Sequence, residues 1–296
     1  MSIVEFTDIE RVECSRQEYF DLPFVSNSDL GILLDNPSLY RKKMNGEWKK
    51  KETQPMRFGS AFDCFLLDGK EVFEEEWRVV KLKGPSTDMQ VALVSALRDG
   101  LPNDIANAQA GYKKVQDGSQ WREYIDQTSG SEWVTSEEMH LVRDLEQAIM
   151  EHISAPKYIE KSEKQVIHTG VHAATGIKVK GMADMVYTNE NGDIVVMDLK
   201  TSSARSVYQF KNSFWKYRYD QQIAMYTALH RTHIGAFMVV GKDPVQAFPL
   251  LEVSQDDWME GNDKLETALF QLKWHLDEDL WDFPAPYYIN DGWSVL

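Results

Sequence analysis

The chain has 296 residues, of which 47 are acidic and 32 are basic, so its net charge at pH 7 is −15. Hydrophobic residues make up 43% of the chain and aromatic residues 11%, which is typical of a folded globular protein. Coating of nucleic acid through charge alone is excluded, because that binding requires a cationic surface. The two cysteines, Cys14 and Cys64, exclude a disulfide framework, a zinc ribbon and a four-cysteine iron–sulfur cluster.

Sequence signals of export and of membrane insertion are missing. The first residues, MSIVEFTDIERVE, are acidic, whereas a signal peptide begins with a basic segment followed by an apolar one. No apolar run approaches the roughly 20 residues that span a membrane. We therefore expect a cytoplasmic protein without a membrane partner. No glycine-rich phosphate loop occurs, so we expect no nucleotide cofactor.

The first half of the chain, residues 1–155, is predicted to be mainly helical. Residues 26–29 (SNSD) precede the apolar residues Leu30, Leu33 and Leu34 and are suited to cap a helix. Pro37 ends that helix or begins the next one. Apolar residues at helical spacing predict further helices over residues 59–67, 88–98, 104–126 and 136–154.

The second half is predicted to hold a β-rich core, residues 156–276, and an acidic, aromatic tail, residues 277–296. A turn at residues 189–192 (NENG) indicates a hairpin between two apolar segments. The core is predicted to contain strands over residues 165–171, 177–187, 193–199, 236–240 and 248–253, with helices over 217–231 and 256–276. The order of these elements predicts one domain, residues 1–296, of mixed α/β class.

Two acidic residues and a lysine fall on neighbouring predicted strands. Asp198 and Lys200 follow an apolar run and point to the same face, because side chains alternate along a strand. Asp184 reaches the same place if the two strands form a hairpin. Carboxylates within a packed sheet require a partner for their charge, and a hard divalent cation such as Mg²⁺ supplies one. The alternative is that Asp198 and Lys200 mark a strand end that turns into solvent.

The order of several short motifs resembles the PD-(D/E)xK nuclease superfamily, and within it the phage and prophage RecE (exonuclease VIII)-like group, related to lambda exonuclease. The resemblance spans most of the chain, and its specific motifs lie between residues 163 and 226. They are residues 181–184 (GMAD), 198–200 (DLK), 218–220 (RYD) and 222–226 (QIAMY), with weaker matches at 26–37 and 59–63. The resemblance implies a restriction-endonuclease-like core, in which helices flank a central mixed β-sheet, with a helical N-terminal half.

The resemblance also implies a metal site. Asp184, Asp198 and the carbonyl group of Leu199 are expected to ligate Mg²⁺, for which Mn²⁺ substitutes, and Glu163 is expected to ligate or orient a metal. Asp63 stands where related exonucleases have histidine near the metals. Aspartate also ligates Mg²⁺, although this departure places a second metal and the catalytic rate in doubt. The alternative for Asp63 is an ordinary exposed helix residue.

Three more residues receive catalytic roles from the resemblance. Lys200 is expected to position the attacking water, and Gln222 to hold Lys200, the water or a phosphate. Tyr226, one helical turn further on, is expected to support that face. Helical periodicity alone favours another interpretation of Gln222 and Tyr226, in which both belong to a plain amphipathic helix.

An acidic protein that cuts DNA needs local cationic surface. Residues 205–218 interleave basic and aromatic side chains, as expected where phosphates are neutralised and bases stack. The predicted DNA-binding residues are Arg205, Lys211, Trp215, Lys216 and Arg218.

The function expected from the resemblance is a Mg²⁺-dependent 5′→3′ exonuclease acting on linear double-stranded DNA ends. It would serve phage-type homologous recombination in a bacterial or phage-infected cell, with a single-strand annealing protein as partner, and would form a homo-oligomer. Two alternatives remain open. One is a catalytically weakened protein of nuclease fold that binds DNA or protein, and the other is a repair-type endonuclease or single-strand nuclease.

Overall fold

A computed structural model describes residues 3–129 and 132–290 of the chain. The α-helices in these residues are α1 (Arg16–Asp21), α2 (Asn27–Asp35), α3 (Pro37–Met44), α4 (Gln54–Asp63), α5 (Lys70–Glu76), α6 (Asp88–Arg98), α7 (Asn103–Gln109), α8 (Ser119–Gln127), α9 (Ser136–Met150), α10 (Ala155–Lys161), α11 (Val207–Lys216), α12 (Tyr219–Leu229), α13 (Gln255–Glu278) and α14 (Ala285–Ile289). A π-helix, Cys64–Asp68, follows α4 directly. The strands are β1 (Phe6–Arg11), β2 (Trp77–Val80), β3 (Glu132–Thr135), β4 (Glu163–His172), β5 (Lys178–Thr188), β6 (Ile194–Ser202), β7 (Ile234–Lys242), β8 (Val245–Ala247) and β9 (Leu251–Glu252).

These elements form two compact units. The first unit combines the described residues up to Lys51 with those from Gln147 onward, and the second unit is Glu52–Glu146. The first unit thus joins the start of the chain to the β-rich core, because β1 pairs with β4. Of the predicted tail, α14 is described, and residues 291–296 lie outside the described residues.

The first unit contains a mixed β-sheet. Its strand order is β1-β4-β5-β6-β7-β8, and β9 also pairs with β7. The β6–β7 pair is parallel, and the other pairs are antiparallel. The predicted hairpin is present, because β5 and β6 pair on either side of the turn at residues 189–192. The predicted fold class, a central mixed sheet flanked by helices, is therefore confirmed.

Helix α12 is packed on more than one side, which explains why apolar residues occur on several of its faces. Ile223 packs with Ala183 and Phe237 of the sheet and with the buried aromatic residues of α11. Met225 and Leu229 belong to a second cluster of buried residues, formed with α2 and α13. A helix buried between a sheet and other helices is apolar on several faces. Its polar residues are therefore the exceptions that bear on function.

The second unit has its own core. Strands β2 and β3 pair in parallel, and Val80, Leu93, Leu97 and Trp121 are buried in one cluster with their neighbours from α6, α7 and α8. The predicted helix over residues 104–126 is present as two helices, α7 and α8. The first ends before Gly111, whose φ of +82° is a left-handed conformation that favours glycine.

Several other predicted elements match the structure closely. Helix α6 has the predicted bounds, and Ser26 caps α2 while Pro37 starts α3. The predicted strand over residues 248–253 is wrong in part. Strands β8 and β9 are short and lie on either side of Pro249, which has no N–H group to donate to a sheet. No helix in the described residues is long and apolar enough to cross a membrane.

Candidate active site

The candidate site lies where β5 and β6 separate. The two strands pair from Met185 opposite Met197 to Thr188 opposite Ile194. Further back along β5, the same edge is taken by Val25, whose N–H donates to the carbonyl oxygen of Lys178 at 3.0 Å. Residues 181–184 of β5 lie between these two partners. The sheet is therefore open at the motif GMAD.

Asp184 bridges the separated strands with its side chain. Its Oδ2 atom accepts a hydrogen bond of 2.8 Å from the backbone N–H of Leu199 on β6. Leu199 is buried and continues the parallel pairing of β6 with β7 opposite Met238. The carboxylate of Asp184 thus takes the place of a backbone acceptor, and it is held next to Asp198 and Lys200.

Asp198 is the most enclosed acidic group of the site, with 1% of its surface exposed. Its Oδ1 atom accepts a hydrogen bond of 3.0 Å from the side-chain amide of Gln222 on α12. Its Oδ2 atom forms an ion pair with the ammonium group of Lys200. Burial raises the pKa of Asp198, and the neighbouring charge of Lys200 opposes that rise.

Lys200 is held as a cation. Burial by itself lowers the pKa of a lysine, but Asp198 and Asp184 outweigh burial and raise the pKa of Lys200 above its ordinary value. Its Nζ atom also lies 4.9 Å from the centre of the Tyr219 ring, within the range of a cation–π interaction. In this arrangement Lys200 is suited to stabilise negative charge.

Gln222 connects Asp198 to Tyr226. The amide nitrogen of Gln222 lies 3.0 Å from Asp198 Oδ1 and 3.2 Å from the Tyr226 hydroxyl oxygen. Burial raises the pKa of Tyr226, and the charge of Asp198 raises it further. The prediction that Gln222 and Tyr226 share a face one turn apart matches this geometry. Gln222 contacts the acidic residue of the DLK motif directly, which periodicity alone did not indicate.

Gly181 allows α12 to approach the sheet. A Cβ atom at this position would lie 2.9 Å from Leu229 Cδ1 and 3.0 Å from Tyr226 Cδ1, closer than side chains normally pack. Residue 181 therefore accommodates the ring of Tyr226 because it has no side chain. This contact gives the first residue of the GMAD motif a physical role.

The donor groups of the open edge fit a hard divalent cation. Asp184 and Asp198 supply carboxylate oxygens, and Leu199 is the residue between Asp198 and Lys200 whose carbonyl group is predicted to be a ligand. Mg²⁺ is commonly bound by one or two carboxylates together with water and phosphate oxygens. A buried carboxylate also requires a nearby positive charge, which Lys200 supplies to Asp198 here.

The structure does not bring every predicted metal ligand together. Glu163 is exposed on β4, and its carboxylate accepts a hydrogen bond of 2.6 Å from Arg11. Asp63 ends α4 in the second unit and is partly buried. Within residues 3–129 and 132–290, no three His, Cys, Asp or Glu side chains cluster in a way that could hold a metal. Metal binding by Glu163 and Asp63 stays a prediction.

The predicted DNA-binding residues fall into two groups. Arg205 forms an ion pair of 3.2 Å with Asp243, and Arg218 forms one of 2.7 Å with Asp35. Lys211, Trp215 and Lys216 lie on α11 with exposed side chains. Sequence patterns did not predict α11. Its apolar face consists of the buried residues Phe210 and Phe214, with Val207 partly buried beside them.

Two lysines near the site were not predicted from the sequence to have a role. Lys180 is buried, and its ammonium group donates to the carbonyl oxygens of Tyr19, Phe20 and Leu22 at 2.8, 3.0 and 2.7 Å. It thereby fixes the end of α1 against β5. Lys264 of α13 forms an ion pair of 2.5 Å with the buried Asp220, two residues before Gln222.

Comparisons with known proteins agree with this fold. Residues 26–283 match the family described as a PDDEXK-like domain of unknown function (DUF3799). A crystal structure from Eubacterium rectale, named as a "putative exonuclease", is 13% identical over 96% of this chain and 95% of that chain, with a TM-score of 0.55. At that identity the likeness shows the fold alone.

Other comparisons add little. The crystal structure of SSO0001 is 16% identical over 71% of this chain and 84% of that chain, and its TM-score of 0.29 carries no argument. The curated proteins contain no match. Similarity to the RecE-like group in particular therefore stays a prediction from the motifs.

Proposed function

The chain belongs to the PDDEXK-like domain family DUF3799, and on that premise we propose that it is a Mg²⁺-dependent deoxyribonuclease. The family and the fold support a nuclease. The single observation that carries the proposal is the convergence of Asp184, Asp198 and Lys200 at the open edge between β5 and β6. Two carboxylates can bind a divalent cation, and a protonated lysine can stabilise negative charge that develops on a phosphate.

Each residue of the site has a role that follows from its contacts. Asp184 and Asp198 would hold Mg²⁺, which when bound lowers the pKa of a water molecule and offsets phosphate charge. Lys200, whose pKa is raised, would stabilise the negative charge that develops on the phosphate. Gln222 fixes the orientation of the Asp198 carboxylate.

The finer proposal is a 5′→3′ exonuclease on the ends of linear double-stranded DNA. It would act in phage-type recombination with a single-strand annealing protein, as a homo-oligomer, in the cytoplasm of a bacterial or phage-infected cell. Support comes from the order of the motifs GMAD, DLK and QIAMY and from the name of the Eubacterium rectale protein of similar fold. Mn²⁺ is expected to replace Mg²⁺.

The test compares three DNA substrates of one sequence: a linear duplex, a covalently closed circle and a single strand. With Mg²⁺, the protein should degrade the linear duplex and leave the circle intact, and EDTA should stop the reaction. Labels at the 5′ or 3′ end then give the polarity. Cleavage of the circle would instead identify an endonuclease, and cleavage of the single strand alone would identify a single-strand nuclease.

A second candidate is a nuclease-derived protein that binds DNA or another protein without cutting. The observation that favours it is that two carboxylates, and no third His, Cys, Asp or Glu, come together among the described residues of the site. This candidate predicts no cleavage of any of the three substrates with either Mg²⁺ or Mn²⁺, together with measurable binding to DNA.

A further inference from the structure

We propose that the exposed face of α11 and the residue after it bind single-stranded DNA, whose unpaired bases stack on aromatic rings. This surface is called the aromatic–basic track and consists of Tyr208, Lys211, Trp215, Lys216 and Tyr217. The inference rests on the proposed nuclease function. It deepens that function by naming unpaired nucleotides as the form of DNA that this surface takes.

The aromatic rings of the track are exposed on a helix whose other face is buried. Tyr208, Tyr217 and Trp215 have exposed fractions of 80%, 55% and 38%, whereas Phe210 and Phe214 are buried against the sheet. Tyr208 and Trp215 are two helical turns apart on one face. At the rise of an α-helix they are separated by about 10 Å, which is the length of roughly three stacked nucleotides.

The track begins close to the candidate active site. The Nζ atom of Lys200 lies 4.9 Å from the centre of the Tyr219 ring, and the centres of the Tyr219 and Tyr217 rings are 5.8 Å apart. A single ring therefore separates Lys200 from the exposed Tyr217. A base that stacks on Tyr217 would belong to a nucleotide next to the phosphate at Lys200.

The lysines of the track are available to phosphates. Among the described residues, neither Lys211 nor Lys216 forms an ion pair, whereas Arg205 and Arg218 are paired with Asp243 and Asp35. The Nζ atom of Lys216 lies 5.3 Å from the centre of the Tyr217 ring. Lys211 and Lys216 thus provide local positive charge beside exposed rings, in a chain whose net charge is −15. Their charge is complementary to a DNA backbone.

The ring of Trp215 is contacted by a side chain of α13. Lys264 lies 5.2 Å from the centre of the Trp215 ring and forms an ion pair of 2.5 Å with Asp220. Because Asp220 is fully buried at the start of α12, this chain of contacts fixes the ring to the same helix that carries Gln222. A ring that is ordered before binding loses less freedom when a base stacks on it.

Exposed rings interleaved with lysines favour a single strand over a duplex. The faces of the bases in a duplex are covered by their neighbours, whereas an unpaired base offers its face to an aromatic ring. Stacking on protein aromatic rings contributes about 1–3 kcal/mol per base, and it tolerates any sequence. The lysines then follow the backbone through charge.

The experiment measures binding without hydrolysis, by fluorescence anisotropy of full-length Asp198→Asn protein in EDTA. The probes are a labelled oligo(dT), an abasic strand of the same length and a blunt hairpin duplex. Oligo(dT) should bind about tenfold more tightly than the abasic strand, which keeps the phosphates and lacks the bases. Tyr208→Ala with Tyr217→Ala leaves Trp215 as the one ring of the track and should greatly reduce that difference, and Phe at both positions should restore it.

Phe270→Ala is the matched control, because Phe270 is 48% exposed on α13 and outside the track; it should leave all three affinities unchanged. Equal binding of oligo(dT) and the abasic strand, or an unchanged preference in the double alanine variant, would overturn the inference. Hydrolysis by the wild-type protein is measured separately. Base-dependent binding without hydrolysis would support the track and reject the proposed nuclease, and hydrolysis without base-dependent binding would do the reverse.

Discussion

The side-chain amide of Gln222 on α12 donates a hydrogen bond of 3.0 Å to the buried Oδ1 atom of Asp198 on β6. The other oxygen of this carboxylate pairs with Lys200. The carboxylate of Asp198 is thus contacted by a side chain of α12 and by a side chain of its own strand. This hydrogen bond connects the DLK and QIAMY motifs, which are separated in the sequence. Residues of both motifs therefore contact the carboxylate of Asp198.

Replacing Gln222 by Glu should place a second carboxylate against Asp198 without changing the shape of the side chain. The two negative charges should repel at pH 7, lowering the free energy of unfolding by about 2–3 kcal/mol. The loss should shrink at acidic pH, where one carboxylate is protonated. Gln222→Met removes the hydrogen bonds to Asp198 and Tyr226 without adding a charge, and it should lower stability by about 1–2 kcal/mol with a much weaker dependence on pH. Urea unfolding at several pH values measures both.

Replacing Gly181 by Ala should displace Tyr226, because the new Cβ atom would lie 3.0 Å from its Cδ1 atom and 2.9 Å from Leu229 Cδ1. Overpacking of this kind lowers stability by about 1–3 kcal/mol. Gly59→Ala is the control, since its Cβ atom would enter open space on α4 and should stabilise the helix by about 0.5–1 kcal/mol. Equal melting temperatures for the two variants would contradict the packing argument.

The sequence predicted the elements whose structure depends on residues close together in the chain. Capping residues and apolar spacing predicted α2, the start of α3 and α6 correctly, and the turn at residues 189–192 predicted the β5–β6 hairpin. The hairpin in turn brought Asp184 to the side of Asp198 and Lys200. Alternation along β6 grouped Asp198 with Lys200, and the hairpin added Asp184 to them.

Features that depend on tertiary contacts were not predictable. The sequence of β1 does not alternate clearly, and its partner strand, β4, is distant in the sequence. The part of the β5 edge next to the opening pairs with Val25, which also lies far away in the sequence. The same holds for the pairing of Lys264 with Asp220 across two helices. No local pattern encodes such contacts between distant residues.

Replacing Lys264 by Met should leave the fully buried Asp220 without its ion-pair partner. Loss of one partner of a buried pair costs about 3–5 kcal/mol, and the partial exposure of Lys264 reduces that to about 2–3 kcal/mol. Lys273→Met is the control on the same helix, because its pair with Asp277 is exposed on both sides. That variant should change stability by less than about 0.5 kcal/mol. Chemical denaturation of both variants measures the difference.

The paired histidines on β4 and after α12 should make the protein less stable in acid. His168 Nδ1 lies 3.1 Å from His230 Nε2. Burial, followed by the charges of His230 and Arg11, lowers the pKa of His168 from 6.5 to about 4. The unfolded chain therefore binds a proton at this histidine more readily than the folded chain does. The contribution of His168 to stability is fully present above pH 6.5 and is lost as the pH falls toward 4.

The check on the histidine pair is a series of melting temperatures between pH 7 and pH 4. His168→Asn should show a shallower decline than the wild type, because one group with a lowered pKa has been removed. The charged groups around His168 also include Glu163 and Arg231, which act in opposite directions. An identical decline in the two proteins would show that the pair does not govern this range.

Mg²⁺ should stabilise the folded protein if Asp184 and Asp198 hold it. A ligand that binds only the folded state at 100 times its dissociation constant adds about 2.7 kcal/mol to stability. The melting temperature of the wild type should therefore rise with Mg²⁺ and return to its original value after EDTA. Asp184→Asn should lose most of that rise, whereas Asp193→Asn, an exposed change on the β5–β6 turn, should keep it. Equal rises in both variants would exclude the site.

The most direct measurement of the central claim is the rate at which linear duplex DNA is degraded in Mg²⁺ by the wild type, by Lys200→Met and by Lys273→Met. Lys200 contacts Asp198 at the open edge of the sheet, whereas Lys273 is exposed on α13. Loss of a group that stabilises developing charge should slow the reaction by about 100-fold or more. We expect that loss for Lys200→Met alone. Degradation by Lys200→Met at the wild-type rate would contradict a catalytic role of Lys200.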